Sequence, residues 1–309
     1  MKLQTVTGQI PVEDVKLADG HAHAWIQPPP GVPYDAPTLN EYEPILLELD
    51  DFREAGGTML VDCQPGGCGR DARMLVKLSE ATGVQIAAVT GFHVRKYYPL
   101  KNWLWQASET EAADHFIEEL KGGMTETASS VPATAIKVGY EGLLEGQFRV
   151  LMEAAAEAAL QTGAGLLFHT EQGQNVEALL PFFTDRHVPH NRLYFCHMDK
   201  RSDSGLHREL AQAGVLLGYD TFLRRKYDPE KHAWPLLKTM AQAGLGSQVA
   251  LGLDAAMAGM WARMGGEWGL LALPQLITPR LQYEGIDETT IAGMIGQNVA
   301  RWLVWQPSN

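Results

Sequence analysis

The stretch Leu17-Ala18-Asp19-Gly20-His21-Ala22-His23-Ala24-Trp25 places two histidines one residue apart within a mostly apolar run. In a β-strand, residues two positions apart point to the same face. Both imidazoles can therefore point one way while Ala22 faces the other. Further along the chain, other short apolar runs end in polar residues with possible metal chemistry: Lys137, His169, His197 and Asp254. This recurrence predicts strands whose ends meet at one metal site.

Short apolar runs alternate with amphipathic stretches along most of the chain. Candidate strands lie at residues 16–24, 58–63, 85–90, 134–138, 165–169, 193–197, 215–219 and 249–254. Glycines such as Gly83 and Gly163 come just before strands, where a helix C-terminus favours positive φ. Eight strand–helix units predict an α/β fold, a closed (β/α)8 TIM barrel, as a single domain over residues 1–309. A doubly wound open sheet is the alternative, but it would need no ring of polar strand ends.

The composition limits the partners and the compartment. Hydrophobic content of 45% and charged content of 20% are ordinary for a globular protein. The net charge of -12 argues against nucleic acid as a partner. No apolar run approaches the ~20 residues of a membrane span, the N-terminus lacks an apolar signal core, and three cysteines do not suggest a disulfide framework. We expect a cytoplasmic protein that binds no membrane.

The polar strand ends predict metal chemistry at one rim, because the active sites of such barrels lie at the C-terminal ends of the strands. Imidazole and carboxylate ligands suit zinc first, and also manganese, cobalt or iron. Lys137 does not fit as an amine, since an ammonium has no lone pair and is costly to bury unpaired. Reaction with carbon dioxide would turn it into an anionic carbamate with two oxygens. A structural ion pair is the plainer alternative for Lys137.

Several short motifs besides these ligands carry a family resemblance. They are Thr5-Val6-Thr7-Gly8-Gln9-Ile10, His21-Ala22-His23, Gly69-Arg70-Asp71, Thr90-Gly91-Phe92 and Asn298-Val299-Ala300-Arg301. With them, essentially the whole chain resembles the phosphotriesterase family of the amidohydrolase superfamily. Ala22 stands where relatives often carry an acidic residue, but it is not a ligand position. The loop that starts at Asp254-Ala255-Ala256 matches no subfamily, which leaves the substrate open.

The resemblance implies a binuclear centre with two divalent metal ions, zinc by preference. His21, His23 and Asp254 would hold the more buried ion, and His169 and His197 the more exposed one. Carboxylated Lys137 would bridge the two ions, with a hydroxide as the second bridge. The catalytic residues would be Lys137 and Asp254, because Asp254 is also the best candidate to accept the proton of the hydroxide and pass it to the leaving group.

Basic residues and tyrosines cluster on loops that follow the predicted strands. Candidate substrate-binding residues are Tyr97, Tyr98, Lys200, Arg224, Tyr227 and Trp261. Cations on one rim of an acidic protein suggest an anionic substrate group. The pattern Arg224-x-x-Tyr227 with Lys200 resembles the phosphate-contacting residues of family members that hydrolyse phosphorylated sugar lactones, and a tyrosine after the third strand resembles the lactonase branch. Alternatively, the cations are solvated and pair with Asp199, Asp228 and Glu230. Trp261 lies in the apolar, glycine-rich loop after the last strand, which either closes over the site as a lid or packs against the barrel or a partner subunit.

We expect a lactonase, a carboxylic ester hydrolase that opens a sugar-type lactone with or without a phosphate or other anionic group. Hydrolysis of organophosphate triesters or phosphodiesters, or an amidase or deacetylase activity on the same metal centre, is the alternative. A barrel that binds metal without catalysis would have no reason to keep both open metal positions. The substrate is thus a small molecule, and the resemblance implies a homodimer.

Overall fold

Eight parallel strands surround the core of the molecule, as predicted. The computed structural model describes residues 1–33 and 35–306. The barrel strands follow one another in chain order, and every hydrogen-bonded pair is parallel. They are β3 (Ala18–Ala22), β4 (Met59–Asp62), β5 (Gln85–Gly91), β6 (Ala135–Tyr140), β7 (Leu166–Thr170), β8 (Leu193–Cys196), β9 (Leu216–Tyr219) and β10 (Val249–Leu251). An antiparallel hairpin of β1 (Lys2–Thr5) and β2 (Gly8–Pro11) precedes them. The TIM-barrel class is confirmed.

Four strands end earlier than the apolar pattern predicts. The predicted strands at 16–24 and 58–63 stop at Ala22 and Asp62. The predicted strands at 193–197 and 249–254 stop at Cys196 and Leu251. His197 and Asp254 instead adopt left-handed backbone conformations, with φ of 62° and 45°. Such values are uncommon for residues other than glycine and are often found at functional sites. The turn takes each side chain off the alternating strand faces.

Helices cover the outside of the barrel. They are α1 (Tyr42–Glu54), α2 (Ala72–Thr82), α3 (Glu109–Lys121), α4 (Gly146–Thr162), α5 (Leu179–Thr184), α6 (Ser204–Gln212), α7 (Ala233–Gln242), α8 (Thr278–Tyr283), α9 (Glu288–Ala292) and α10 (Asn298–Trp302). Gly83 and Gly163 end α2 and α4 with φ of 74° and 76°, as expected of a helix C-terminus. The helical segments after the last strand are interrupted by π-helical turns at Leu273–Ile277 and Gly293–Gln297. Within residues 1–33 and 35–306, no helix is long and apolar enough to span a membrane.

The first and last barrel strands meet through Asp19. Its Oδ1 accepts hydrogen bonds from the backbone N–H of His21 (3.0 Å) and of Leu253 (3.1 Å), and the N–H of Asp254 donates to the carbonyl of His21 (2.9 Å). The backbones approach so closely that a Cβ at Gly252 would lie 2.7 Å from the nitrogen of His21. Burial raises the pKa of Asp19 well above its usual value. These hydrogen bonds between the first strand and the end of the last hold His21 beside Asp254.

Candidate metal centre and substrate cavity

His21 on the first barrel strand and His23 just after it converge on Asp254, which follows the last strand. The Nε2 atoms of His21 and His23 lie 3.8 and 3.6 Å from Oδ1 of Asp254. All three residues are buried, and their candidate ligand atoms lie within 4.8 Å of one another. The structure thus brings together the three residues that the sequence predicts for the more buried ion.

His169 and His197 form a second pair beside them. Nδ1 of His169 lies 2.9 Å from Nε2 of His197. Nitrogens that share one ion at about 2.1 Å each must lie about 3 Å or slightly more apart, so this spacing fits a common ion. Burial lowers the pKa of both imidazoles, and for His197 the value falls well below the usual one. The neutral form that coordinates a metal is therefore favoured.

Lys137 lies on β6 and is fully buried. Its Nζ has no hydrogen-bond partner, and no acidic group among the described residues pairs with it. The structural ion pair considered for Lys137 therefore finds no partner here. Together with burial, the charge of Lys137 lowers the pKa of His21 to about 4. An unpaired ammonium among histidines is costly, whereas a carbamate at this position would bring negative charge to the same nitrogens. The donor set fits two divalent ions.

Asp220 is a buried residue of the site that the sequence interpretation missed. It follows the last residue of β9, and its two oxygens accept hydrogen bonds from Nδ1 of His21 (2.8 Å) and Nδ1 of His197 (2.7 Å). It also accepts the backbone N–H of His197. Because each Nδ1 carries the proton, each Nε2 keeps its lone pair free for a metal. The same pattern that revealed the other ligands, an apolar run that ends in a polar residue, is present at residues 215–220.

Asp254 also forms an ion pair with Arg224, which lies in the loop after β9. Nη2 of Arg224 lies 2.6 Å from Oδ2 of Asp254 and donates to the carbonyl of the same residue. Burial alone would raise the pKa of Asp254, but His197, His23 and Arg224 together bring it well below the usual range. Nε of Arg224 has no partner among the described residues. The carboxylate is thus ionised, and Arg224 is positioned at the boundary between the ligands and the open cavity.

A cavity of about 330 Å³ opens above these ligands. His23, His169 and Asp254 contribute to its wall. Of the candidate substrate-binding residues, four line it: Tyr97, Lys200, Arg224 and Tyr227. The remaining wall includes Ile26, Pro28, Ala36, Pro37, Gln64, Cys68, His93, Lys96, Glu171, Lys226, Ala256 and Met257.

Two of the candidate substrate residues, Tyr98 and Trp261, lie elsewhere. Tyr98 is 3% exposed, and its hydroxyl accepts the backbone N–H of His93. Trp261 is 1% exposed, and its Nε1 donates to the carbonyl of Ala255. Neither is among the described residues that line the cavity. The sequence interpretation placed both at the substrate, whereas in this structure both rings belong to the hydrophobic core. For Trp261 this is the packed arrangement that the sequence left open.

The lysines of the cavity are not neutralised by the acids that the sequence offered as partners. Lys200 and Lys226 place their ammonium groups 4.8 Å from the ring centre of Tyr227, a cation–π distance. No ion pair involves either lysine in the part of the chain that the structure describes. Of the expected partners, Glu230 binds Arg280 and Asp199 accepts two hydrogen bonds from Thr221. Glu171 also lines the cavity, and His169, with smaller contributions from Lys200 and Lys96, lowers its pKa to about 2. Among the described wall residues, four cations (Lys96, Lys200, Arg224 and Lys226) thus face two acidic groups, Glu171 and Asp254, which leaves an excess of positive charge.

Two further cavity residues, Gln64 and His93, were not recognised as site residues. His93 is buried like a core residue, but its ring lies 4.7 Å from that of His169, centre to centre. Burial and the neighbouring His169 lower its pKa well below the usual value. Position in the sequence alone could not reveal this, since neither residue ends an apolar strand.

Comparison with known proteins agrees with this geometry. The sequence model of the phosphotriesterase family matches residues 1–303. The chain is 26% identical to a phospho-furanose lactonase of Mycoplasmopsis synoviae, over 98% of this chain and 91% of the relative. It is also 26% identical to the N-acetyltaurine hydrolase of Bos taurus, over 91% and 83% of the two chains.

Solved structures show the same fold. A lactonase from Listeria monocytogenes superposes with a TM-score of 0.91 at 21% identity, covering 99% of this chain and 100% of the other. An amidohydrolase from Mycoplasma synoviae gives 0.92 at 24% identity, covering 100% and 93%. Because the family model spans nearly the whole chain and the relatives are hydrolases, this protein belongs to the phosphotriesterase family and is a hydrolase.

Proposed function

We propose that this hydrolase is a binuclear metal-dependent lactonase that opens a sugar-type lactone carrying a phosphate or another anionic group. The observation that carries the proposal is the position of the cationic cavity wall directly above the histidine–carboxylate cluster. A substrate whose anion is held by this wall would present its ester carbonyl to the cluster. The phospho-furanose lactonase among the relatives supports the same substrate class.

The clustering of the candidate ligands supports the assignment that the family resemblance implies. His21, His23 and Asp254 would hold one ion, and His169 and His197 the other, with Lys137 as a carbamate between them. When bound, the ions would lower the pKa of a coordinated water and polarise the electrophile. Zinc is our first choice among the metals that accept these ligands.

The protein's own groups then have separate tasks. Lys200 and Tyr227 would bind the anionic group and fix the orientation of the substrate. Asp254, ionised and beside the reacting centre, would accept the proton of the attacking water and deliver it to the leaving alkoxide. Arg224 would keep that carboxylate in place. The catalytic residues we propose are therefore Asp254 and Lys137.

Other reactions on the same centre differ in how well their substrates match the charge of the cavity. A phosphotriester is neutral and would leave the lysines without a partner. An amide with an anionic tail fits the charge of the cavity as well as a lactone does, and the N-acetyltaurine hydrolase among the relatives makes this the second candidate. A homodimer and a cytoplasmic location stay predictions.

The deciding experiment is a pH-indicator screen of the zinc- or manganese-loaded protein against phosphorylated sugar lactones, neutral lactones, aryl phosphotriesters and N-acyl amino sulfonates. We expect the fastest acid release from the phosphorylated lactones. Turnover of the amides alone would replace our proposal with the second candidate, and preference for triesters would refute both.

Two substitutions on neighbouring loop residues test the anion site. Lys200→Met should raise KM for a phosphorylated lactone by about 10-fold or more, the value of one charged hydrogen bond, and change KM little for a neutral lactone. Arg225→Met is the matched control, because Arg225 is 92% exposed and pairs with Glu267 outside the cavity. Equal effects of the two substitutions would remove the anion-site assignment.

Lys137→Met tests the metal bridge. Methionine fills the buried space without charge, so the fold should survive while metal content falls below two ions per chain and turnover is lost. Intact-mass measurement under native conditions should show one carbon dioxide added to the wild-type chain and none to the variant. Full activity with two bound metals in the variant would exclude Lys137 as the bridge between the ions.

A further inference from the structure

Two polar side chains on the cavity wall, Gln64 and His93, have no task in the proposed reaction. They follow β4 and β5, two neighbouring strands of the barrel. Each is nearly buried, with 5% and 6% exposure. Each also keeps one polar atom without a partner among the described residues. We therefore asked what group in the cavity those two atoms would bind.

The ring of His93 is held in one orientation and one tautomer. The N–H of Val94 donates to Nδ1 at 2.7 Å, so a neutral ring carries its proton on Nε2. The ring packs between His169 and Tyr97, with centroid distances of 4.7 and 4.8 Å. The Nε2–H of His93 is thus a fixed hydrogen-bond donor on the cavity side.

Gln64 supplies the complementary acceptor. Its Nε2 donates to the carbonyl oxygen of Cys68 at 2.5 Å and approaches the sulfur of the same residue. This fixes the orientation of the amide and leaves Oε1 free as an acceptor. Tyr98 connects the two loops, because its hydroxyl accepts the N–H of His93 while its ring lies against Gly67.

The order of the strands places this pair across the cavity from the lysines. In an eight-stranded barrel, β4 and β5 stand opposite β8 and β9, whose following loops carry Lys200 and Tyr227. The wall after β8 and β9 therefore carries Lys200 and Lys226, and the opposite wall offers a neutral donor and a neutral acceptor beside one further cation, Lys96. The metal ligands lie between the two walls.

We propose that the Nε2–H of His93 and Oε1 of Gln64 bind a ring hydroxyl of the substrate and make the enzyme selective for hydroxylated over deoxygenated substrates. A hydroxyl is the group that donates and accepts at once. A substrate without it would leave both buried groups unpaired, which is the strongest form of discrimination available to a binding site. The identification of the ring as a lactone rests on the proposed function, but the hydroxyl preference does not.

The test uses a series of phosphorylated five-membered lactones, each lacking one ring hydroxyl. Wild-type kcat/KM should fall by about 10- to 100-fold for the one deoxy compound whose hydroxyl meets this pair, as expected for one or two lost hydrogen bonds. His93→Phe and Gln64→Met should bring that ratio close to one. His93→Gln, which keeps an N–H donor, should restore part of it.

The control variant is Lys200→Met, which should slow the hydroxylated and deoxy lactones equally and leave the ratio unchanged. Metal content of the His93 and Gln64 variants is measured as well, because His93 touches His169; two ions per chain must be retained. A wild-type enzyme that treats all deoxy compounds alike, or variants that keep the full ratio, would overturn the proposal.

If no lactone is hydrolysed, the proposed function fails, and the hydroxyl preference is tested by calorimetry with the open-chain hydroxy acids. The wild-type protein should bind one hydroxy acid at least about 10-fold more tightly than its deoxy counterpart, and His93→Phe should bind the two alike. Equal affinities in the wild-type protein, or no binding of any hydroxy acid, would overturn this inference too.

Discussion

Replacing Asp220 by asparagine changes one atom of a carboxylate that holds two candidate ligands. Its oxygens accept from Nδ1 of His21 at 2.8 Å and Nδ1 of His197 at 2.7 Å. An asparagine has one acceptor oxygen, so one imidazole would meet an N–H donor and lose its hydrogen bond. That imidazole would turn, or move its proton to Nε2, where the metal should bind.

The size of the effect follows from the bond that is lost. A hydrogen bond to a charged group contributes about 1.5–3 kcal/mol, and 1.36 kcal/mol is a factor of ten. Asp220→Asn should therefore weaken the affinity for at least one ion by about 10- to 150-fold, in line with other groups that orient metal-bound histidines. Turnover at limiting zinc should fall in the same proportion, whereas saturating zinc should restore part of it.

The assay is zinc competition with a chromophoric chelator, alongside metal analysis and kcat at buffered free zinc. Asp199→Asn is the matched control, since Asp199 is equally buried but bonds to Thr221 and to neither histidine. Burial and the nearby Asp220 raise the pKa of Asp199 to about 7, so an uncharged amide is a small change there. Metal affinity of Asp220→Asn within threefold of the wild-type value would refute the orienting role.

Three other substitutions test the fold around the site. Burial alone would raise the pKa of Glu119, but Arg70 lowers it from 4.5 to about 2. The ionised group therefore stabilises the fold above pH 4.5, and this contribution is lost as the pH falls toward 2. In urea unfolding, the free energy of unfolding should fall by about 2 kcal/mol less for Glu119→Gln than for the wild type between pH 7 and pH 3. Trp261→Phe should cost about 1–2 kcal/mol in thermal unfolding and leave KM within twofold, and a large rise in KM would return Trp261 to the substrate site. Gly252→Ala places a Cβ 2.7 Å from the backbone nitrogen of His21 on the neighbouring strand and should lower the free energy of unfolding by about 1–3 kcal/mol. Gly259→Ala is the control and should be neutral, because no described atom lies within 4 Å of its added Cβ. Equal melting temperatures of the two variants would contradict the close packing at Gly252.

The clustering of the candidate ligands could be predicted from sequence because each of them interrupts or ends an apolar pattern. Strand periodicity fixes which residues share a face, and a closed barrel brings all strand ends to one rim. Asp220 obeys the same rule, because it directly follows the apolar run at residues 215–219. The strand ends at Cys196 and Leu251 could not be predicted, since the left-handed turns at the next residues depend on tertiary contacts.

Loop residues were predicted less well, for a physical reason. Tyr97 and Tyr98 are neighbours in sequence, yet only Tyr97 lines the cavity, because successive side chains of an irregular loop point in directions set by packing. Burial of the large ring of Trp261 is favourable on either side of its loop, so the sequence does not decide where the ring packs. In the structure its Nε1 donates to the carbonyl of Ala255, and the ring lies in the core and not at the cavity. His93 shows the opposite case: a histidine that is buried, as a core residue would be, still contributes one face to the cavity.

The distribution of unpaired polar atoms indicates what the site is built to receive. Buried polar groups are normally hydrogen-bonded, and each exception costs about 1–3 kcal/mol. Around the cluster, unpaired atoms include Nζ of Lys137, Nδ1 of His23 and Nε of Arg224. Unpaired atoms also occur away from the cluster, for example on Arg192 and Trp302. Those beside the candidate ligands differ in that they carry charge or could face a bound ion or substrate, whereas apolar residues would fill the same space at lower cost. A ligand that binds these groups in the folded chain, and not in the unfolded chain, would offset the free-energy cost of burying them and stabilise the fold by mass action. We therefore expect ligand binding at this site to raise the stability of the barrel.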